Sequence, residues 1–259
     1  MKALFSSAVM AFSMFSVFPM PRVAWEKENM RYMLACLPLV GLVLMAALWA
    51  WQALCAALEL GGTLYAAGLT LIPVLLSGGI HTDGFCDTVD ALSSHAAPER
   101  KREILKDSHA GAFAIIFACV YFLASFALCT AVDCTARAAL TLGLFQVLAR
   151  SVGALASVCF SGSTASGLLA SFRDAAARRS AVVLALWCAL CAAGLIALSP
   201  IGGCAALAAA GLCMWYVFRM SRHEFGGMSG DLAGFLITII QPAALFAHLL
   251  AERMAAVWF

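Results

Sequence analysis

Long apolar stretches constrain this chain more than any other feature of its sequence. A helix needs roughly twenty mostly apolar residues to cross the hydrocarbon core of a bilayer. Seven stretches approach or exceed that length: 31–57, 63–80, 110–132, 136–158, 181–199, 202–218 and 232–250. With 64% hydrophobic and 12% charged residues, the chain is too apolar for a water-soluble core and surface. We therefore predict an all-α, polytopic helical membrane bundle that forms a single domain over residues 1–259.

The N-terminal stretch ALFSSAVMAFSMFSVF, residues 3–18, is apolar but short, and PMPR ends it. It lacks the charged start and the small-residue cleavage site of a signal peptide. We predict a short interfacial or re-entrant helix here.

Basic residues fall in every second connection between the predicted spans. These connections contain Arg22, Lys27, Arg31, Arg100, Lys101, Arg102, Lys106, Arg173, Arg178, Arg179, Arg219 and Arg222. The alternate connections hold only Arg137, and the tail holds Arg253. Because loops rich in Lys and Arg stay in the cytoplasm, we predict a bacterial-type cytoplasmic membrane protein with its N-terminus inside and its C-terminus outside.

Charge and cysteine usage exclude other classes of protein. A net charge of +2 is too small to indicate nucleic-acid binding. Most of the eleven cysteines stand singly in apolar runs, where cysteine acts as a small hydrophobe. The CxxC of Cys188 and Cys191 lies within such a run, so we interpret it as helix filling rather than as a redox or zinc motif.

Three aspartates occur together in SGGIHTDGFCDTVDAL, residues 77–92. If this segment is helical, Asp83, Asp87 and Asp90 lie at i, i+4 and i+7, within roughly 60° of one face. Adjacent carboxylates repel each other, and each ionised aspartate costs roughly 2.5–3.5 kcal/mol at the membrane centre. A hard divalent cation answers both problems, and Mg²⁺ commonly binds substrate phosphates as well. The alternative is a solvated loop whose aspartates only cap a helix or form a turn.

A second polar cluster, GGMSGDLAG, contains Ser229, Gly230 and Asp231. Four predicted spans separate Asp90 from Asp231, so both clusters face the same side of the membrane. The glycines allow close backbone approach, and Asp231 adds a fourth carboxylate. Ser229 or Asp231 also suits the N-cap of the last span, and both interpretations can hold together.

Further candidate ligand-binding residues lie near other spans. The stretch EILKDSHAGAF places Lys106, Asp107 and Ser108 directly before the third span. Lys106 suits a phosphate, Asp107 a metal or a sugar, and the alternative is an ordinary interfacial helix end. Arg150 lies inside the fourth span, where an arginine indicates function, and we interpret it as a phosphate partner. His81 lies off the aspartate face. We interpret it either as a residue that contacts the substrate or as an ordinary interfacial histidine.

These motifs resemble the cobalamin synthase family, the adenosylcobinamide-GDP ribazoletransferases. GGIHTDGFCDTVDAL is similar to the family signature of GG, H and DG followed by two further aspartates. LKDSHAGAF resembles its K-D-S segment, and GGMSGDLAG its GG-x-TGD-xx-G, with Ser229 in place of threonine. LPLVGLVL in the first span is also similar. Together the similarities extend over most of the chain.

The resemblance implies a membrane-embedded transferase with defined substrates. The cobinamide phosphate of adenosylcobinamide-GDP is joined to α-ribazole or its 5′-phosphate, and GMP is released. Mg²⁺ is the implied cofactor. The carried-over motifs assign Asp83, Asp87, Asp90, Lys106 and Asp107 to catalysis. They assign His81, Ser108, Ser229, Gly230 and Asp231 to ligand binding. We therefore expect the protein to lie in the lipid bilayer. A homo-oligomer or a complex with other cobalamin-pathway enzymes is compatible with the resemblance.

Two other functions remain open at this point. A phosphatidyl-type transferase that uses CDP-linked alcohols also places spaced aspartates beside a DG pair, but its alanine-arginine after the DG is FCDT here. A cation transporter would use the same three aspartates as ion ligands. A transporter typically carries polar groups near the middle of the membrane and an inverted repeat.

Overall fold

The computed structural model describes residues 2–107, 109–160, 162 and 178–258. These residues form eleven helices and no β-strand, which confirms the predicted all-α class. The helices are α1 Lys2–Phe15, α2 Lys27–Met30, α3 Met33–Ala57, α4 Gly62–Leu76, α5 Ile80–Ser93, α6 Pro98–Ile104, α7 Ala112–Thr130, α8 Ala136–Cys159, α9 Arg178–Leu198, α10 Pro200–Glu224 and α11 Gly230–Trp258.

Six of the described helices are long and apolar enough to cross a membrane: α3, α7, α8, α9, α10 and α11. They coincide with six of the seven predicted spans, so the chain is a multi-pass helical membrane protein. The seventh differs from the prediction of one span over 63–80, because α4 ends at Leu76 and α5 leaves it at an angle of 90°. Counted as one broken span, this pair brings the number to seven.

The turn between α4 and α5 explains the difference. Gly78 and Gly79 have φ angles of +66° and +75°, in the left-handed region that glycine adopts without steric strain. The amide of Gly79 donates to the carbonyl of Val74 over 3.0 Å, which closes the C-terminus of α4. The same glycine pair that begins the aspartate motif therefore turns the chain sharply just before the aspartates.

The bundle is built around α8, since 78% of its apolar stretch is buried by other parts of the protein. The same fraction is 56% for both α3 and α11, but only 11% for α7 and 17% for α9. Helix α3 approaches α8 closely at Gly41, where an added Cβ would lie 2.7 Å from the Cα of Val147. The inner helices therefore form the core, while α7 and α9 present apolar side chains outward, as lipid contact requires.

The short α1 packs against α3 rather than standing apart. The hydroxyl of Ser7 donates to the carbonyl of Asn29 over 2.5 Å and accepts the amide of Tyr32 over 3.2 Å. Beyond α1, the amide of Val17 donates to the carbonyl of Leu76, the last residue of α4. The N-terminal helix is thereby fixed next to the turn that leads into α5.

Candidate active site

Helix α5 carries the three aspartates of the sequence motif on one face, as their spacing predicted. Asp83 is exposed, and Asp87 and Asp90 are partly buried. The other side of the helix is buried, with His81 and Phe85 turned into the protein. The aspartates therefore face away from the core of the bundle.

Glycines bring the first turn of α11 against α5. A Cβ added at Gly84 would lie 2.7 Å from the carbonyl oxygen of Asp231, and one added at Gly234 would lie 3.1 Å from the carbonyl oxygen of His81. One turn further along α11, the Thr238 hydroxyl donates to that same His81 carbonyl over 2.9 Å. This close contact brings together two polar clusters that are far apart in the sequence, since Asp90 and Asp231 are separated by 141 positions.

The carboxylates at this contact repel one another. Asp87 lies within electrostatic range of Asp83, Asp231 and Asp90, and Asp231 lies within range of Asp83. None of these four carboxylates forms an ion pair with any described residue. The site is therefore a patch of negative charge without an ion-pair partner among the described residues, and such a patch would favour a cation.

Ser229 and Asp231 both contribute to the start of α11. The Ser229 hydroxyl accepts the amide of Leu232 over 3.2 Å, as an N-cap does, and its contact with the Asp231 carboxylate measures 3.4 Å. Gly230 is the first residue of the helix and is exposed. The predicted capping role of Ser229 is confirmed, and it leaves the Asp231 side chain beside α5.

Asp90 makes contacts that distinguish it from the other aspartates. Its two carboxylate oxygens accept the amides of Gly111 over 2.5 Å and of Ala114 over 2.9 Å, which are orphan donors at the start of α7. Gly111 is the N-cap position and has no side chain, so Asp90 supplies the cap from another helix. A Cβ at Gly111 would lie 2.6 Å from the Asp90 carboxylate. Its metal-binding role stays a prediction.

Replacing Asp90 with alanine is expected to lower stability. The change removes the acceptor for two amides and the negative charge at the N-terminus of α7, a loss of about 1 kcal/mol. Thermal unfolding in detergent measures it, with Asp133→Ala, the same change at an exposed position between α7 and α8, as the control. An unchanged melting temperature for Asp90→Ala would contradict the capping role.

The predicted K-D-S segment lies between α6 and α7. Lys106 and Asp107 are exposed, and Ser108 lies outside the described residues. The Asp107 carboxylate accepts hydrogen bonds from the backbone amide of His109 over 3.0 Å and contacts the His109 ring over 2.7 Å. These contacts hold the pKa of Asp107 below its usual range. The segment is joined to the acidic patch through Gly111, which contacts Asp90.

Arg150 lies deeper than its sequence position near the end of a span suggested. Its side chain is 1% exposed, and one terminal nitrogen donates to the side-chain oxygen of Gln146 over 3.0 Å. Gln146 in turn donates to Gln241 of α11 over 3.0 Å. The Nε of Arg150 has no hydrogen-bond partner among the described residues, and neither does Nε2 of buried His81 nearby.

Sequence reasoning did not anticipate the packing of α1 at this site. The ring of Phe15, the last residue of α1, stacks on the ring of His81 with 5.8 Å between centroids and 20° between planes. Nothing in the apolar stretch 3–18 indicates this contact, because it depends on how the chain turns after PMPR. The N-terminal helix therefore buries His81 from one side.

A second feature that could not be predicted from the sequence is a pair of polar contacts between α6 and the end of α10. Lys101, whose side chain is 7% exposed, forms an ion pair with Glu224. The neighbouring Arg102 donates to the carbonyl of Phe225 over 3.3 Å. These contacts fix the beginning of the loop that leads to Ser229 and Asp231. Two of the basic residues interpreted only as topology signals therefore position part of the site.

Among the described residues, no three Asp, Glu, His or Cys side chains are already arranged to hold a metal ion. The neighbouring donors are carboxylates, which suit a hard cation such as Mg²⁺. Since Mg²⁺ usually takes one or two carboxylates together with waters and substrate phosphates, this donor set fits an ion that arrives with a phosphorylated ligand.

A bundle of apolar spans with a carboxylate patch where two helices meet defines a multi-pass membrane protein with an acidic site. The sequence profile of the cobalamin-5-phosphate synthases matches residues 7–249. The chain therefore belongs to the cobalamin-5-phosphate synthase family, and it is a membrane transferase of cobalamin biosynthesis. The resemblance inferred from the sequence motifs is confirmed.

Proteins from Lachnoclostridium and Clostridium are similar to this protein over nearly its whole length. An adenosylcobinamide-GDP ribazoletransferase of Lachnoclostridium phytofermentans is 38% identical over 248 residues, which cover 95% of this chain and 94% of the relative. Proteins of the same name from Clostridium botulinum are 31% identical in strain Eklund 17B and 29% in strain Alaska E43, covering 95% of this chain and 98% of each relative. No solved structure matches the chain.

Proposed function

We propose that this protein transfers the cobinamide phosphate of adenosylcobinamide-GDP to α-ribazole or its 5′-phosphate. The products are GMP and adenosylcobalamin or its 5′-phosphate. The names of the relatives support the substrates, and the acidic patch between α5 and α11 supports substitution at phosphorus. Family membership favours this reaction over a phosphatidyl-type transferase and over a cation transporter.

The observation that carries the proposal is the close approach of the Asp231 backbone to Gly84 of α5, which brings the Asp231 carboxylate within electrostatic range of Asp83 and Asp87. Asp83, Asp87 and Asp90 of α5, together with Asp231 of α11, would hold one or more Mg²⁺ ions. A bound Mg²⁺ would neutralise charge on the diphosphate and on the departing GMP. In our proposal Asp90 also fixes the start of α7. Its carboxylate thereby links the metal-binding face of α5 to the segment that contains Lys106.

The other residues of the site hold the reactants. The ribazole hydroxyl attacks the phosphorus, the bond from that phosphorus to the GMP oxygen breaks, and one carboxylate of the site accepts the hydroxyl proton. Lys106 contributes a mobile positive charge for phosphate oxygens from an exposed position. His81, Asp107 and Ser108 are further candidate contacts.

Arg150 is assigned to the phosphate oxygens because its charge is buried without a carboxylate partner among the described residues. A buried guanidinium is costly unless an anion accompanies it. Gln146 and Gln241 orient the group, and its unpartnered Nε leaves one donor for a ligand.

Changing Arg150 to methionine is expected to lower kcat/KM by about ten- to hundredfold, as loss of a charge-assisted hydrogen bond does. The Mg²⁺ concentration for half-maximal activity should stay as in the unmodified protein, because Arg150 is no metal ligand. Arg137→Met, near the opposite end of the same helix, is the control. An increased Mg²⁺ requirement in Arg150→Met would contradict this division of roles.

The reaction is tested with purified protein in phospholipid vesicles. Adenosylcobinamide-GDP, α-ribazole and Mg²⁺ should yield GMP and a cobalamin in equal amounts, and omission of α-ribazole should abolish GMP release. α-Ribazole 5′-phosphate in a parallel reaction identifies the preferred acceptor. GMP release that does not depend on either acceptor would show hydrolysis instead and overturn the proposal.

We also propose that the acidic patch and the N-terminus face the cytoplasm and the C-terminus faces outward. The loops at this end of the bundle carry most of the basic residues, which supports the orientation. Single cysteines at 95 and 223, two exposed positions, should be labelled only from the cytoplasmic side, and a reporter after residue 259 should be active only outside. Labelling of 95 and 223 from opposite sides would contradict the meeting of α5 and the α10–α11 loop at one site.

The chain's surroundings complete the proposal. We expect the bilayer of a bacterial cytoplasmic membrane, no nucleic acid, and either a homo-oligomer or a complex with other enzymes of the pathway. Mass measurement of the protein in a lipid nanodisc distinguishes the monomer from the oligomer.

A further inference from the structure

A cleft of about 560 Å³ opens at the end of α10, on the same end of the bundle as the acidic patch. The last three turns of α10 form one wall, and the end of α5 and helix α6 form the other. Residues that line it include Leu92, Lys101, Trp215, Tyr216, Arg219 and His223. None of these residues belongs to the carboxylate site or to its proposed reaction.

The cleft carries positive charge that the described residues do not neutralise. Lys101 is paired with Glu224, so its charge is compensated. Arg219 is exposed, and no described carboxylate lies within ion-pair distance of it. Arg222 lies over the Phe218 ring at 5.2 Å and shares an adjoining hollow of about 370 Å³ with Arg219. Two arginines are therefore available to an anion.

The position of the cleft along the membrane-spanning helix α10 indicates what kind of anion it binds. Trp215 and Tyr216 are 60% and 47% exposed and lie one turn before Arg219 on a membrane-spanning helix. Exposed Trp and Tyr followed by arginine are typical of the level of lipid headgroups. One turn further toward the middle of α10, Leu212 is 65% exposed and offers an apolar surface. The fitting ligand is anionic at one end and apolar along its length.

We propose that this cleft binds an anionic phospholipid, whose phosphate lies between Arg219 and Arg222 and whose acyl chains lie along α10 beside Leu212. Guanidinium groups suit phosphate because they present several donors in one plane. Trp215 and Tyr216 hold the glycerol region at the same depth. A free nucleotide would use the arginines but leave the apolar surface below them unfilled.

The location gives the lipid a structural consequence. Glu224, which lines the cleft, and Phe225, whose carbonyl Arg102 holds, precede the loop that carries Ser229 and Asp231. A lipid bound at Arg219 and Arg222 therefore supports the base of that loop from the membrane side. This inference concerns lipid binding and does not rest on the proposed reaction.

The test compares lipid retention in native mass spectrometry. The protein is placed in nanodiscs of phosphatidylcholine with or without phosphatidylglycerol, and the lipids that remain bound after release are counted. The unmodified protein should retain phosphatidylglycerol over phosphatidylcholine, and Arg219→Gln with Arg222→Gln should lower that preference by about ten- to thirtyfold. The matched control is Arg137→Gln with Arg253→Gln, two arginines that line a hollow at the opposite end.

Two outcomes would overturn the proposal. An unchanged lipid preference in the double variant would show that the arginines bind no headgroup. Weaker GDP binding by the double variant in pure phosphatidylcholine, measured by equilibrium dialysis, would assign the cleft to a nucleotide phosphate instead. If the double variant does not fold, Arg219→Gln alone provides the same comparison, since Arg219 has no partner among the described residues.

Discussion

Asp83→Asn and Asp87→Asn are each expected to lower kcat/KM by about a hundredfold or more, while the melting temperature in detergent changes little. Asparagine keeps the size and one oxygen ligand but removes a charge from the proposed Mg²⁺ site, a loss on the order of 3 kcal/mol in transition-state stabilisation. Stability is preserved because the four neighbouring carboxylates repel each other in the absence of the ion. Activity against Mg²⁺ concentration is the measurement, and higher Mg²⁺ should partly restore at least one variant.

The control for this prediction is Asp133→Asn. Asp133 is exposed at the far end of the bundle, between α7 and α8, so the substitution makes the same chemical change outside the site. Its activity and Mg²⁺ dependence should match those of the unmodified protein. Asp83 and Asp87 variants that keep full activity with an ordinary Mg²⁺ response would contradict the metal site.

Gly84→Ala is expected to abolish most activity without touching any polar side chain. The added Cβ would lie 2.7 Å from the carbonyl oxygen and 2.9 Å from the Cα of Asp231, a contact with backbone that cannot rotate away. Helix α5 must then shift from α11, which separates Asp83 and Asp87 from Asp231 and costs about 1–3 kcal/mol of packing energy. Turnover and thermal unfolding are both measured, and both should fall.

Gly211→Ala provides the matched control, because an added Cβ there meets no atom within 4 Å. Gly211 lies within α10, where alanine favours the helix by up to about 1 kcal/mol over glycine. Its activity should be unchanged and its melting temperature equal or slightly higher. If Gly84→Ala behaves like Gly211→Ala, the close approach of α5 and α11 is not required for the reaction.

The lengths of the apolar stretches predicted most of the helices, because the ability of a stretch to span a membrane depends on its own residues alone. The stretch 31–57 became Met33–Ala57, and 136–158 became Ala136–Cys159. The stretch 63–80 failed as a straight span because apolarity reports only a preference for lipid and carries no direction. Its end is decided by the left-handed turn at Gly78 and Gly79, which redirects the chain by 90°.

In the candidate site too, features within one helix could be predicted from the sequence, whereas contacts between helices could not. The common face of Asp83, Asp87 and Asp90 follows from helical spacing alone. The partner of Asp90 does not, because Gly111 lies beyond α6 and only the folded chain places its amide there. Arg150 and Gln146 are four positions apart on one helix, yet the link onward to Gln241 joins two different helices. Spacing shows which side chains share a face, but not what that face meets.

The right-angle bend between α4 and α5 has a consequence for how the reactants meet. Helix α4 packs beside α3 and α7, and α5 leaves α4 at an angle of 90° with its acidic face turned away from the core of the bundle. A bulky reactant held in the bilayer reaches such a face by lateral diffusion, while a small water-soluble reactant arrives from above. The encounter rate then depends on the number of reactant molecules per area of membrane rather than per volume of cell. If the proposed reaction takes place there, dilution into more lipid is expected to slow it even when every bulk concentration is constant.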